Sequence, residues 1–306
     1  MIEWTVRRRG QSRKTVIIYH TTLAAAHTTS PVTSKMTHPS EPATKPESSA
    51  DHSAPVLDID GARASIRLNR PAEHNRLDPE DLNALRAHLQ AIESDARLRV
   101  VVLTGTGART FCSGYTISAL RDMKTEADAG DATLEEVIDR LEDLRLPTIC
   151  ALNGSVYGGG IDLALACDFR IGVTGTRMVM PAPKIGLHYY ASGMRRYVER
   201  LGLAASKKLF LIGEPMASEE MLAVGFLDEL VQPGELTARA DALARSIEAN
   251  APAAIAGMKR HLNLIARGEF DPAAIGANNA ASLASDDLAE GLAAMKEKRA
   301  PRFQGR

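Results

Sequence analysis

The 306-residue sequence has no apolar run of about 18 residues, so no segment is expected to cross a membrane as a helix. Cysteines are few. Cys112, Cys150 and Cys167 follow neither metal-ligand nor disulfide spacing, and their small or apolar neighbours suit reduced thiols in a cytoplasmic protein. Charge of one sign is also lacking: 37 basic against 38 acidic side chains leave a net charge of -1, so no overall field draws in nucleic acid or an acidic membrane. No internal repeat, long heptad run or lysine-rich helix face is present, which argues against a solenoid, a coiled coil or an RNA-binding surface.

What is present divides at about residue 54. Residues 21–50 hold sixteen Ser, Thr or Pro and little hydrophobic periodicity. Such a segment buries too little apolar surface to offset its ordering entropy, so residues 1–53 are expected to be disordered. The basic start, Arg7 to Arg9 and Arg13-Lys14, has the composition of a transit segment. An upstream start, with Met36 as the natural first residue, fits equally.

The remainder reads as α/β. Residues 56–59 and 64–68 alternate around Asp60-Gly61 as a hairpin. Asp78, Pro79, Glu80 and Asp81 open a helix whose Leu82, Leu85, Leu89 and Ile92 share one face. Residues 100–104 and 147–152 are nearly continuous apolar runs, as in strands covered on both faces. A helix over 133–144 lies between them, and Phe169 to Val173 forms the next strand. Strand and helix alternating at this spacing predict parallel βαβ units. The last third is helical, with Ser218 and Ser285 as N-caps and helices over 236–249 and 252–266. Leu288, Leu292 and Met295 make an apolar stripe on the last helix.

Two loops carry the chemistry. Phe111-Cys112-Ser113-Gly114-Tyr115-Thr116-Ile117 and Gly154 to Asp162, with its Gly158-Gly159-Gly160 run, each follow a buried strand. Ligands gather at the carboxyl ends of such strands. A glycine run opening a helix leaves N–H groups that can face developing negative charge. Two such loops converging on one oxygen would form an oxyanion hole. Taken alone, the glycines are equally compatible with purely structural strand–helix turns.

Further motifs bring a resemblance. Leu68-Asn69-Arg70-Pro71-Ala72-Glu73-His74-Asn75-Arg76-Leu77, residues 101–120, residues 151–169, Ala223 to Asp228, and Glu290-Gly291 through Pro301-Arg302-Phe303 resemble, in order, motifs of the crotonase, or enoyl-CoA hydratase/isomerase, family. The resemblance covers residues 54–306. It implies a crotonase-like spiral of βαβ units over 54–250 and a helical C-terminal trimerisation region over 251–306, assembled as a homotrimer or a dimer of trimers. The implied ligand is an acyl-CoA thioester, with no separate cofactor and no metal. By the same resemblance the backbone N–H groups of Tyr115 and Gly159 stabilise a thioester enolate. His74, Ser113, Tyr115, Thr116, Ile117, Tyr157, Gly158, Gly159, Ala182 and His188 border the substrate, and Asp162 and Tyr189 join Tyr115 and Gly159 as catalytic groups. Lys296, Lys298 and Arg299 resemble a basic group that reaches CoA phosphates in some members.

The departures bear on the reaction. Hydratases of the family carry two glutamates; here their places hold Asp162, shorter by about 1.5 Å, and Ala182, which carries no proton. His188, Tyr189 and Tyr190 follow Gly186 nearby, and methylmalonyl-CoA decarboxylase is among the relatives with a tyrosine at the place of Tyr189. The reading that follows is a lyase of the enoyl-CoA hydratase type, with isomerisation left open. A malonyl-type acyl-CoA decarboxylase and a non-catalytic acyl-CoA-binding subunit are the alternatives. Tyr190 is read as packing or a subunit contact, and Arg195, Arg196 and Arg200 as solvent-facing or subunit-facing.

Overall fold

Apolar runs bounded by glycine and polar turns set the frame. The computed structural model describes residues 54–116 and 131–305; the N-terminal extension and Ile117 lie outside them. In chain order the elements are β1 (Val56–Asp60), β2 (Arg63–Leu68), α1 (Pro79–Ser94), β3 (Val100–Gly105), β4 (Thr110–Cys112), α2 (Leu134–Asp143), β5 (Thr148–Leu152), β6 (Ser155–Tyr157), α3 (Gly159–Leu165), β7 (Phe169–Val173), β8 (Arg177–Val179), α4 (Ala182–Ile185), α5 (Ala191–Lys207), β9 (Met216–Ala217), α6 (Ser218–Ala223), β10 (Glu229–Val231), α7 (Leu236–Glu248), α8 (Pro252–Ala266), α9 (Pro272–Leu283) and α10 (Asp286–Glu297). None of the described helices is long and apolar enough to cross a membrane.

Six strands form one sheet in the order β1-β2-β3-β5-β7-β10, antiparallel only at the β1–β2 hairpin. Four short strands form a second sheet, β4-β6-β8-β9, parallel except for its last pair. The strands of the small sheet continue the path of the large one. Chain leaving β3 enters β4, and chain leaving β5 enters β6 across Asn153-Gly154. Gly154 is required there, because a Cβ would stand 2.4 Å from the Arg109 carbonyl carbon. This repeated strand-to-strand step carries two loops to one end of the molecule.

Both faces of the large sheet are covered. Val100, Ile149, Ala151, Ile171 and Val173 pack against Leu236, Ala240, Ala244 and Ile247 of α7. The opposite face meets α1, α2 and α3 through Leu82, Leu85, Val137, Ile138 and Ile161. That double burial accounts for the unalternating apolar runs of β3 and β5. Asp78 and Asp81 form a reciprocal capping box at α1.

Some expectations need correcting. Ala217, not Ser218, is the N-cap of α6; Ser218 is buried and accepts from the Gly175 N–H. A second sheet went unread because its strands are two or three residues long and show no usable period. The Leu288, Leu292 and Met295 stripe faces outward, with Met295 77% exposed. Nothing among the described residues covers it.

Asp168 ties the last third to the core. It accepts from the Thr148 N–H and hydroxyl and pairs with Lys259 of α8 at 2.7 Å. Arg170 does similar work under β7. It is buried and donates to the carbonyls of Phe226 and Cys167 at 2.5 and 2.7 Å. Replacing it with Met would strand both carbonyls without a donor. Arg170→Met should therefore cost about 2–4 kcal/mol in chemical denaturation; a change under about 1 kcal/mol would show that this arginine does not hold the turn.

Candidate active site

Two backbone segments meet at the end of the small sheet. The first runs out of β4 through Ser113, Gly114 and Tyr115. The segment around His74 braces it: Ser113 N–H donates to the His74 carbonyl, Leu77 N–H to Gly114 and Thr116 N–H to Leu77, all at 2.9–3.0 Å. His74 and Asn75 both adopt positive φ, 58° and 53°. Buried Asn75 holds that bend by donating to the Thr106 and Thr110 carbonyls while accepting from Arg70 N–H. The Gly114 carbonyl is committed to Leu77. In a trans peptide the next N–H points the other way, so Tyr115 N–H is aimed away from Leu77.

The second segment leaves β6 at Gly158, whose φ of 49° and ψ of -123° suit glycine, and turns into α3. Gly159 is the first residue of that helix, where N–H groups have no intrahelical acceptor. The two segments are in contact. A Cβ on Gly159 would lie 3.6 Å from Tyr115 N, and one on Gly114 would lie 3.1 Å from Gly159 N. A side chain at either position would crowd the space between the two amides.

One helical turn beyond Gly159, Asp162 has no solvent exposure. It sits in an ion-pair network on α5. Arg196, also with no exposure, donates Nε to Oδ1 at 2.9 Å and Nη2 to Oδ2 at 3.1 Å. Its other terminal nitrogen reaches Asp139 at 2.7 Å and Glu142 at 3.0 Å. Burial works against the Arg196 charge, but Asp162, Asp139 and Glu142 more than offset it and raise its pKa. Burial likewise opposes ionisation of Glu142, yet Arg195, Arg196 and Arg267 hold its pKa below the usual carboxylate range. Two carboxylates and one arginine can be buried here because each charge has a partner.

Tyr190, the N-cap residue of α5, donates its hydroxyl to Asp162 Oδ2. Its ring stacks on Tyr189 with centroids 4.6 Å apart and planes 19° from parallel. Tyr197 and Phe210 complete the aromatic group. The Tyr189 hydroxyl is buried and has no partner in hydrogen-bonding geometry. Burial, then the Asp162 charge, push its pKa well up, so it stays a neutral phenol.

The other predicted residues spread out. Ser113, Tyr115, Thr116, Tyr157 and Gly158 line the two converging segments and are half-buried. Tyr157 accepts at its hydroxyl from Arg177 Nε at 3.3 Å. Ala182 is buried at the start of α4. His74 and His188 are exposed. His74 Nδ1 lies 2.9 Å from the Thr110 hydroxyl, while His188 Nδ1 donates to the carbonyl of Tyr189 at 2.8 Å. Arg299 pairs with Glu290 and Glu297.

The chain as a whole has counterparts. A family model described as enoyl-CoA hydratase/isomerase matches residues 58–306. The chain belongs to the enoyl-CoA hydratase/isomerase family. The short-chain-enoyl-CoA hydratase of Clostridium acetobutylicum is 30% identical over 247 residues, covering 80% of this chain and 95% of that protein. The (E)-benzylidenesuccinyl-CoA hydratase of Thauera aromatica is 31% identical, covering 82% of this chain and 98% of that protein. Among solved structures, an enoyl-CoA hydratase from Bacillus anthracis superposes with a TM-score of 0.76 at 27% identity, over 83% of this chain and all of the other. The enoyl-CoA hydratase/isomerase fold thus surrounds the Tyr115–Gly159 junction, and an acyl-CoA enzyme is the class to which the chain is assigned.

Sequence reasoning missed the partners of Asp162. Arg196, expected at solvent or a subunit contact, turns inward to Asp162, and Tyr190, expected in packing or a subunit contact, donates to the same carboxylate. The one available signal was Asp162 itself, since a carboxylate on an otherwise apolar helix must find a cation or a donor. Removing Arg196 would leave that carboxylate buried and uncompensated. Arg196→Met is expected to lose about 3–5 kcal/mol of unfolding free energy. Adding Asp162→Asn to the same chain should recover part of it; an additive further loss would contradict the pairing.

Proposed function

We propose that the chain binds an acyl-CoA thioester with its carbonyl oxygen between the N–H groups of Tyr115 and Gly159, and that these donors stabilise an enolate. The supporting observation is the direct contact of the two segments at Gly114 and Gly159. Preorganised N–H groups meet the oxygen as charge develops on it, without the reorganisation that water would need. The polar floor beside this hole is Asp162, Tyr190 and Tyr189; Ala182 contributes no proton carrier. Coenzyme A arrives with the substrate, so the reaction calls for no separate cofactor.

The names of the relatives favour hydration of a 2-enoyl-CoA, a lyase reaction. The site would then perform it without the usual pair of water-handling carboxylates, because Ala182 replaces one and Arg196 occupies both oxygens of the other. A second reading is decarboxylation of a malonyl-type acyl-CoA. Asp162 alone would repel the substrate carboxylate, but Arg196 matches its charge and weakens that objection. Both reactions pass through a thioester enolate.

We further propose a homotrimer or a dimer of trimers, acting in the cytoplasm. Residues 251–306 would supply the subunit surface beside a spiral core over 54–250. Met258, Leu262, Leu283, Leu292 and Met295 are all more than half exposed on α8, α9 and α10, which is more apolar surface than isolated helices leave uncovered without reason.

Turnover assays separate the two reactions. Incubation with crotonyl-CoA should give loss of the enoyl absorbance, or incubation with methylmalonyl-CoA should release carbon dioxide. A protein that binds acyl-CoA and turns over neither would contradict the enzymatic reading. Gly159→Pro removes one donor at the first helical position, where a Cβ would also stand 2.8 Å from Leu134 Cδ2 and the neighbour must give way. Whichever activity is present should fall by about 10²–10³ in kcat with the fold retained by circular dichroism. An unchanged kcat would rule out Gly159 N–H as an oxyanion donor.

A further inference from the structure

Asp162 stands where the family reading puts a proton-transferring carboxylate, yet it cannot touch a substrate. It has no exposed surface, and Arg196 engages both of its oxygens. The remaining approach, at Oδ2, is taken by the Tyr190 hydroxyl. Tyr190 is itself only half-buried. Of the bonded trio Arg196, Asp162 and Tyr190, only Tyr190 is not fully buried.

We infer that Tyr190 is the residue that exchanges a proton with the α-carbon of the bound thioester, with Asp162 acting through it and Arg196 positioning Asp162. The inference rests on the thioester reading above and deepens it.

Three features of the structure support this. First, a phenol that donates to Asp162 still has oxygen lone pairs, so it can accept a proton while passing its own to the carboxylate. Second, the arrangement corrects a length deficit. An aspartate falls short of a glutamate by about 1.5 Å, and the Tyr190 hydroxyl bonded to Asp162 Oδ2 would extend its reach. Third, the geometry is held by its neighbours. The stack on Tyr189 fixes the ring. Gly193 lets α5 approach, because a Cβ there would sit 2.5 Å from Tyr189 Cε1 and 2.9 Å from Asp162 Oδ2. Burial, then Tyr189 and Asp162, push the Tyr190 pKa up, so the resting pair is a neutral phenol with its proton directed at the carboxylate.

The α-carbon–hydrogen bond breaks and its proton bonds to Tyr190 Oη. The proton already on Oη moves to Asp162 Oδ2. The electron pair of the broken bond enters the enolate, whose negative oxygen is met by the N–H groups of Tyr115 and Gly159. Tyr190 ends neutral and Asp162 ends protonated. Run in reverse from Asp162 first protonated by solvent, the step delivers a proton to the α-carbon of an enolate and returns the pair to its resting state.

Exchange of α-hydrogen for deuterium in butyryl-CoA, incubated with the full chain in D₂O, reads this step without requiring net reaction. The wild-type protein should exchange. Tyr190→Phe, which keeps the ring and its stack, should slow exchange about 100-fold or more, while butyryl-CoA affinity from calorimetry changes by less than about threefold. Asp162→Asn should slow exchange in the same way with Tyr190 present. Loss of binding and exchange together in both variants would mark the trio as structural only and overturn the inference. Wild-type exchange in the Tyr190→Phe variant would also overturn it, and would leave the oxyanion site intact. Binding without exchange by the wild-type protein would overturn the relay but not the thioester site. Failure of the wild-type protein to bind butyryl-CoA would overturn both.

Discussion

The Asp162–Arg196 ion pair, with neither side chain exposed, is the constraint around which the site is arranged. A buried carboxylate next to an oxyanion hole would oppose the negative charge that the hole is built to hold. Arg196 offsets that effect, and it must be buried to do so. Once buried, it requires acceptors for its remaining nitrogen, which Asp139 and Glu142 supply. Glu142 in turn takes Arg195 and Arg267. One acidic residue on α3 therefore sets the contacts of α2, α5 and α8, and joins the three helices through charge as well as packing.

The division of labour in the site follows from this. The proposed hole would be made of backbone and would depend on two strand exits and on small residues at Gly114, Gly158 and Gly159. Its donors do not titrate and need no particular side chain at position 115. The floor beside it is made of side chains and departs from the two glutamates that the family resemblance implies. A second carboxylate is missing at Ala182, the first is committed to Arg196, and phenols occupy the space between. A hole of fixed geometry beside an altered floor is how one fold can keep an enolate and change the reaction around it.

The α/β class, the parallel runs, the α1 capping box and the two glycine loops were legible because each has a local cause: periodicity, a capping residue or a glycine that a turn requires. The family motifs added the convergence of those loops, which no local rule gives. The small sheet was not legible, since two- and three-residue strands carry no period. Arg196 was not legible either. Arg195 and Arg196 are adjacent in sequence, and nothing local says which one turns inward to Asp162, 34 positions away. The same holds for Tyr190, whose neighbour Tyr189 drew attention by its place in the family pattern while Tyr190 reaches the carboxylate. Side-chain networks between distant elements are decided by packing, and packing is what a single sequence reports least.

The account stands or falls on where the thioester oxygen goes. A crystal structure of the protein with a bound acyl-CoA tests this most directly. The account predicts the carbonyl oxygen about 3 Å from the backbone nitrogens of both Tyr115 and Gly159, with the α-carbon on the side of the Tyr190 hydroxyl. An acyl-CoA whose carbonyl oxygen lies away from both nitrogens would contradict it.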